Sequence, residues 1–162
     1  MKSGLKDINA LVTIVHGKEK RLSYIGSINS RLDYRNGKIY WTEIVPGLRW
    51  THENYSVLKC YDLKEGRIKS ITPRQRYLSP SVDKNGKVAA VSRTTVDGKN
   101  QLVLVELEDG KELFAFQVPG NAFIKELTFT DQDEVVAVAV TDAGISLLQF
   151  TPSSGQWEEL LS

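Results

Sequence analysis

Residues 77–117 read YLSPSVDKNGKVAAVSRTTVDGKNQLVLVELEDGKELFAFQ, and this stretch decides the fold. Apolar residues recur in it with a period near two, as in strands whose side chains alternate between the two faces of a sheet. The polar segments DKNGK, TTVDGKN and EDGK interrupt the apolar runs and are typical of tight turns. The pattern therefore predicts four short strands, Ser79–Val82, Val88–Val91, Leu102–Leu107 and Leu113–Phe116.

Imperfect copies of this four-strand unit lie on both sides of it. In the preceding copy, Asn36-Gly37 stands between two apolar runs, which is a strong hairpin signal because both central residues of that turn need a positive φ. The glycines of corresponding turns recur along the chain as Gly37 and Gly86, with Asp133 in place of the third, and as Gly66, Gly110 and Gly155. We therefore predict one domain with a half-unit at 8–28 and full units at 32–71, 77–117 and 122–161.

Four-stranded units that recur at intervals of 44 to 49 residues are typical of β-propeller blades. Each blade buries a sheet face only by stacking on its neighbour, so blades occur in series. About three and a half blades are present, whereas a closed ring needs roughly four to eight. The prediction is an all-β, propeller-like array of antiparallel blades in an incomplete ring. A β-sandwich or an open meander with accidental periodicity is the alternative.

The segment SPSVDKNGKVAAVS, followed by QLVLVELEDGKEL, resembles the repeat of TolB-type, WD-repeat-like propellers. The resemblance is good over 77–117 and fair over 32–71, where Ser-Pro is missing. It is weaker over 124–160, where TDQDE replaces the glycine turn. It implies a periplasmic or cell-surface protein, or a relative of the non-catalytic propellers of prolyl-oligopeptidase-like and dipeptidyl-peptidase-like enzymes. Because one fold hosts many functions, both a binding module and the propeller portion of a larger peptidase remain open.

Composition and charge exclude several classes of partner. The net charge is +1, from 21 basic and 20 acidic residues, so no overall field favours nucleic acid or an anionic membrane. No apolar run approaches the roughly 18 residues that would cross a bilayer. The apolar stretch Ala10–Val15 is too short for a signal peptide, so we expect neither membrane insertion nor a leader. The single cysteine, Cys60, is predicted to be a small buried hydrophobe, and Tyr40, Trp41 and Tyr61 to pack between blades.

The sequence lacks the motifs of common catalytic sites. It contains no G-x-S-x-G, no P-loop and no G-x-G-x-x-G. His52-Glu53 begins like a zinc-protease motif, but Ser56 stands where the second histidine belongs. The acidic run at 131–134 lacks the glycine and the distal glutamate of a calcium loop. We therefore expect a chain that is not an enzyme by itself and that holds no cofactor and no metal.

One region is richer in binding chemistry than the rest. The longest connection, PGLRWTHENY at 46–55, joins the second and third strands of its unit, and in a propeller it emerges on the same rim as the blade-linking segment TPRQRY at 72–77. We expect the two segments to approach each other and to present cationic and aromatic side chains, namely Arg49, Trp50, His52, Arg74, Arg76 and Tyr77. Arginine forks bind carboxylate or phosphate and aromatic rings add stacking area, so this rim suits an anionic ligand or an extended peptide, and we predict a protein or peptide partner.

A structural role for the same loop is the alternative. Trp50 and Tyr55 would then fold back to cap the blade, and Arg49 would stack on an aromatic ring or pair with Glu43 or Glu53. The incomplete ring leads to a further expectation, that the chain is a fragment of a longer propeller or assembles with other copies. We predict a fragment that self-associates to complete the propeller, because exposed strand edges and apolar blade faces favour association.

Overall fold

The computed structural model describes residues 8–28, 31–46 and 54–162. Within these residues the chain forms four antiparallel sheets, and each strand is hydrogen-bonded to the next strand in the sequence. The first sheet is a two-stranded half-blade, β1 (Asn9–Val15) and β2 (Lys18–Ile25). A single turn of 3-10 helix, Pro119–Asn121, connects the third sheet to the fourth.

Three four-stranded blades follow the half-blade. The first blade contains β3 (Asp33–Arg35), β4 (Lys38–Pro46), β5 (Asn54–Asp62) and β6 (Arg67–Ser70). The middle blade contains β7 (Tyr77–Val82), β8 (Val88–Thr94), β9 (Asn100–Glu106) and β10 (Glu112–Gln117). The C-terminal blade contains β11 (Phe123–Phe129), β12 (Val135–Thr141), β13 (Gly144–Thr151) and β14 (Gln156–Leu161). The predicted all-β array of four-stranded antiparallel blades is confirmed.

The connection at 46–55 is shorter than the sequence pattern predicts, and the first hairpin has a turn of only two residues. His16 and Gly17 have φ of 50° and 74°, so the first hairpin turns over two residues and the polar residues after them already belong to β2. The β4–β5 ladder extends to the Pro46–Asn54 pair, which leaves 47–53 as the connection. In the first hairpin the residues that begin β2, Lys18, Glu19 and Lys20, are polar and exposed, which a search for apolar alternation does not detect.

In the turn between the first two strands of each blade, one corresponding residue has a left-handed backbone conformation. Gly37 has a φ of 76°, Gly86 of 69° and Asp133 of 61°. This left-handed region favours glycine because it has no Cβ to clash. The predicted equivalence of Asp133 with the two glycines is therefore confirmed.

The core consists of apolar layers between successive sheets. The half-blade and the first blade enclose Leu11, Ile25, Trp41 and Tyr61. The first and middle blades enclose Tyr40, Leu58, Cys60, Ile71, Val82, Ala89 and Leu107. The middle and C-terminal blades enclose a larger layer that includes Ala90, Leu102, Leu104, Ile124, Leu127, Ala137, Leu148 and Phe150. Tyr40, Trp41, Cys60 and Tyr61 are buried as predicted.

Hydrogen bonds and one close approach lock each blade to the next. The N–H of Val82 donates to Asp33 Oδ2 of the preceding blade at 2.6 Å, and the N–H of Phe129 donates to Ser81 Oγ at 3.0 Å. A Cβ on Gly110 would lie 2.0 Å from the carbonyl oxygen of Ile71, so only glycine fits there. The blades are therefore held in a defined stack.

The stack does not close into a ring. Among the residues that the structure describes, no sheet covers the second face of the C-terminal blade, and the half-blade likewise has one uncovered face. Large apolar side chains are exposed at the two ends, including Val12, Ile14 and Tyr24 at one and Phe123, Ile145 and Leu161 at the other.

Candidate functional site

The start of β5 and the segment that links the first and middle blades are joined by backbone hydrogen bonds. The N–H of Ser56 donates to the Gln75 oxygen at 2.6 Å, and the N–H of Gln75 donates to the Ser56 oxygen at 2.8 Å. The hydroxyl of Ser56 also donates to the Tyr77 oxygen at 2.7 Å. The linker therefore lies against the start of β5, while most of the connection predicted to approach it, 47–53, lies outside the described residues, and that approach stays a prediction.

A second set of contacts fixes the beginning of the linking segment. The buried hydroxyl of Thr72 accepts a hydrogen bond from the N–H of Leu58 at 3.0 Å, and the N–H of Ile71 donates to the Leu58 oxygen at 2.8 Å. Since both ends of the linker are tied to β5, the side chains between them are carried on a rigid backbone. Such a scaffold suits binding because little conformational entropy is lost when a ligand arrives.

Beside this junction lies a pocket of about 340 Å³ between the first and middle blades. The guanidinium of Arg76 lies 5.7 Å from the centre of the Tyr55 ring, within the range of a cation–π contact. The pocket combines one cation, aromatic rings, hydroxyls and two aliphatic walls, and it is lined by Ile44, Tyr55, Ser56, Arg76, Tyr77, Leu78 and Thr94.

Tyr77 forms a fixed wall of the pocket. Its side chain is fully buried, and its hydroxyl donates to Glu112 Oε1. Arg93 donates to the same oxygen at 2.5 Å and to Gln101 Oε1 at 2.9 Å. Burial, and after it the hydrogen bond to Glu112, raises the pKa of Tyr77, so the hydroxyl stays protonated and acts as a donor. The tyrosine is thus held by residues of the middle blade.

The six side chains predicted for the rim are distributed unevenly. Tyr77 lies in β7 rather than in the connection, Arg76 is half-buried in the pocket wall, and Arg74 is exposed on the linker. Arg49, Trp50 and His52 lie outside the described residues.

Glu43, suggested as a partner for Arg49, already has three hydrogen-bond donors. Lys59 Nζ lies 2.7 Å from Oε1, while Trp41 Nε1 and the N–H of Gly26 lie 3.2 and 3.1 Å from Oε2. This carboxylate therefore connects the half-blade to the first blade.

Sequence reasoning missed the pocket walls. Ile44, Leu78 and Thr94 belong to three different strands and have ordinary strand chemistry, so no local signal distinguishes them. The Tyr77–Glu112 contact spans 35 residues and depends on how β7 and β10 are placed in the folded blade.

A metal-binding cluster and a membrane-spanning helix are both absent from the described ranges. No group of three or more His, Cys, Asp or Glu side chains is arranged to hold a metal ion there. No helix in those ranges is long and apolar enough to cross a membrane.

Comparison with known proteins identifies the architecture. No protein-family profile matches the sequence, and no curated protein matches it. TolB from Acinetobacter baumannii superposes with a TM-score of 0.65 at 14% identity, over 88% of this chain and 34% of that one. The β-propeller domain of the Trilobed protease from Pyrococcus furiosus gives 0.61 at 14%, over 82% and 42%. A chain of the nidogen–laminin complex gives 0.64 at 12%, over 92% and 56%.

These similarities concern the fold alone, because every identity is far below 25%. The chain spans 42% of the Trilobed protease propeller domain and a smaller share of the acylaminoacyl peptidase that it also resembles, 24%. The proteins that it resembles thus include the propeller domain of a protease, a peptidase, TolB and a chain of the nidogen–laminin complex. The chain is a partial β-propeller with an open ring.

Proposed function

We propose that this chain is a non-catalytic binding module that presents the pocket between its first and middle blades to a protein or peptide partner. The observation that carries the proposal is the combination of Arg76, the Tyr55 ring and two aliphatic walls in one pocket of about 340 Å³. Pockets with mostly apolar walls and a few fixed polar groups are the usual form of a binding site.

The chemistry of the pocket favours an extended peptide that carries a carboxylate. The Arg76 guanidinium would donate two parallel hydrogen bonds to that carboxylate, while Ile44 and Leu78 would contact apolar side chains of the peptide. Arg74 is exposed on the same linker and would supply a second cation. The proposal also includes Arg49, Trp50 and His52 of the β4–β5 connection, on the strength of their chemistry.

The test is binding of fluorescent peptide pools, one rich in Asp and Glu and one in which Lys replaces them. We expect the acidic pool to bind and Arg76→Ala to weaken its binding at least tenfold, with Arg76→Lys intermediate because lysine keeps the charge but loses the fork. Arg67→Ala is the matched control. Arg67 is an exposed arginine of β6 in the first blade, which also forms part of the pocket, but it is paired with Glu65 and does not line the pocket. Equal binding by Arg76→Ala and the parent chain would refute the proposal.

The second candidate is that the chain forms the propeller portion of a larger peptidase and gates access of substrates to it. The likeness to the Trilobed protease propeller, to acylaminoacyl peptidase and to the tricorn protease favours this candidate. The DNA that flanks the coding segment distinguishes the two. A hydrolase domain encoded in frame would support the peptidase, and its cleavage rate for long peptides, but not for dipeptides, should then respond to Arg76→Ala.

Self-association is the other part of the proposal. Monomeric proteins rarely expose large apolar faces, because such faces favour association with another surface. The likeness to a chain of the nidogen–laminin complex adds an example of this architecture in a protein complex.

A further inference from the structure

The two ends of the blade stack have opposite charge. The half-blade, residues 8–28, contains three basic residues and one acidic residue, for a net charge of +2. Residues 122–162, which contain the C-terminal blade, hold one basic and seven acidic residues, for a net charge of −6. The net charge of +1 for the whole chain conceals this segregation.

The uncovered side of the C-terminal blade is an apolar face bordered by acids. Pairing places Val138 between Glu126 and Leu147, and it places Val140 between Phe123 and Ile145. Paired residues project to the same side of a sheet, opposite the buried Val135, Ala137 and Ala139. We name the following set the C-terminal face: Phe123, Glu126, Val136, Val138, Val140, Ile145, Leu147, Glu158 and Leu161.

The uncovered side of the half-blade is the counterpart. Alternate residues of β1 project away from the buried Leu11, and their partners on β2 project with them. The guanidinium of Arg21 lies 4.5 Å from the centre of the Tyr24 ring and donates to its hydroxyl, so the cation is held on this side. We name the following set the N-terminal face: Ala10, Val12, Ile14, Glu19, Arg21 and Tyr24.

Most of the acidic charge is not neutralised within the blade stack. Glu126 lies 3.6 Å from Arg31, and Asp133 lies 2.9 Å from Lys84. Asp142, Glu158 and Glu159 take part in no ion pair among the described residues. Glu159 is paired with the buried Leu148 and so projects to the covered side of the sheet, which leaves Asp142 and Glu158 near the uncovered side. A basic surface that approaches the C-terminal face would therefore find acidic groups at its border.

We propose that the N-terminal face of one copy packs on the C-terminal face of a second copy. The inference rests on the self-association proposed above and names the surfaces that meet. Each face has an apolar centre that would lose its contact with water. The N-terminal face itself holds one base and one acid, Arg21 and Glu19, so the attraction comes from the opposite net charges of the two end segments, +2 and −6, which favour this orientation. A contact between two C-terminal faces would instead bring two strongly acidic borders together, which is unfavourable.

This contact is heterologous, because two different surfaces meet. Two copies can satisfy both contacts at once, since each copy has one face of each kind, and such a pair closes on itself. The pair would contain six four-stranded blades and two half-blades, twice the content of one chain. This number lies within the roughly four to eight blades of closed propellers.

The experiment uses one charge substitution at each face and sedimentation of the intact chain. Ile14 and Ile145 are 65% and 64% exposed, so substitution leaves the fold intact. Ile14→Asp places an acid where acidic groups should approach, and Ile145→Lys places a base where basic groups should approach. We expect the parent chain to associate at micromolar concentration and each variant alone to associate at least tenfold more weakly.

The decisive measurement is the mixture of the two variants. The mixture offers one unchanged contact and one in which Asp faces Lys, so association should return when the variants are combined. If like faces met instead, one of the two variants would associate normally, Ile14→Asp for two C-terminal faces or Ile145→Lys for two N-terminal faces, and mixing would rescue nothing, which would refute the proposal. A chain that stays monomeric at 100 μM would refute it as well.

A control variant and a second assay separate this contact from the binding pocket. Val96 is 88% exposed in the β8–β9 turn, away from both faces, so Val96→Lys should associate like the parent chain. Loss of association in Val96→Lys would show that the ends are not the contact. Neither Ile14 nor Ile145 lines the pocket, so both variants should still bind the acidic peptides, whereas Arg76→Ala should lose the peptides and keep the association.

Discussion

The middle blade and the C-terminal blade have the same four-strand plan but different burial. In the middle blade, the four residues from Leu102 to Val105 of β9 are all buried, because a sheet covers each face. In the C-terminal blade, the residues of β12 alternate between buried and half-buried, from Val135 to Val140. Yet VVAVAVT in β12 is as apolar on its outer face as a strand of the middle blade. A strand with this composition is suited to a position between two sheets. The C-terminal blade therefore has an apolar face whose exposure to water is unfavourable.

The largest expected difference concerns the glycines of the last turn of these two blades. A Cβ on Gly110 would lie 2.0 Å from the Ile71 oxygen, whereas a Cβ on Gly155 would lie 3.2 Å from the flexible Phe116 ring. Both have positive φ, 73° and 68°, so alanine costs about 1–2 kcal/mol at either position. Gly110→Ala should cost a further 1–3 kcal/mol or more, because the backbones of two blades must separate. Chemical denaturation measures both.

Gly98→Ala is the matched control for this pair. Gly98 has a φ of 78°, and nothing lies within 4 Å of an added Cβ, so it reports the backbone strain alone. Equal destabilisation by Gly98→Ala and Gly110→Ala would mean that the first and middle blades are not in the close contact described.

The second difference concerns valines of the two blades. Val103 is fully buried, so Val103→Ala should cost about 2 kcal/mol from lost burial and the cavity that remains. Val138 is half-buried on the C-terminal face, and Val138→Ala should cost less than about 1 kcal/mol in the dilute chain. If a second copy covers this face, the cost of Val138→Ala should grow with protein concentration, because association stabilises the folded state. Thermal unfolding over a hundredfold range of concentration tests this, and a cost for Val103→Ala that varied in the same way would contradict it.

A third prediction extends the comparison to the half-blade, which is tied to the first blade through Glu43. Burial alone would raise the pKa of this carboxyl, but hydrogen bonds from Lys59, Trp41 and the Gly26 N–H outweigh it and lower the pKa below its ordinary 4.5. A lowered pKa in the folded state adds stability at pH above the ordinary value, and this stability is lost as the pH falls through the folded pKa. Glu43→Gln should therefore cost about 1–2 kcal/mol at neutral pH and progressively less below the ordinary pKa.

Glu65→Gln is the control, because the Glu65–Arg67 pair is exposed. Exposed pairs contribute little, so this variant should follow the parent chain at every pH. Hydrogen exchange of β1 and β2 gives the local readout for Glu43→Gln. If their amides exchanged no faster in that variant than in the parent chain, Glu43 would not connect the half-blade to the first blade.

Much of the fold could be predicted from the sequence because its signals are local. Short apolar runs bounded by turn residues mark β8 and β12, and Gly37 and Gly86 mark turns that need a positive φ. Relations between blades have no such signal. The approach of Gly110 to Ile71 and the contact of Tyr77 with Glu112 depend on how sheets stack.

The candidate site was predicted only in part for the same reason. Arg76 could be chosen for its chemistry, and its position beside Tyr55 followed from the connectivity of a propeller. The uneven charge along the chain is visible in the sequence. Only the order of the blades shows that the basic and acidic segments lie at opposite ends of one stack, where they can form complementary surfaces.

The smallest expected effect lies in the first turn of the C-terminal blade, where Asp133 replaces the glycine of the other blades. The backbone strain at its φ of 61° costs roughly 1 kcal/mol. Its carboxylate lies 2.9 Å from Lys84 Nζ, and because both side chains are about half exposed this ion pair contributes about 0–1 kcal/mol of stability. Asp133→Gly should therefore change the free energy of unfolding by less than about 0.5 kcal/mol, because relief of strain offsets the lost pair. Asp133→Ala keeps the strain and loses the pair, so it should cost up to about 1 kcal/mol. The reverse change, Gly86→Asp, should cost more, since a Cβ there would lie 2.9 Å from Asn36 Nδ2. Urea denaturation of the three variants decides the point, and a loss above 1 kcal/mol in Asp133→Gly would mean that the Lys84 pair, rather than the turn, stabilises this end of the blade.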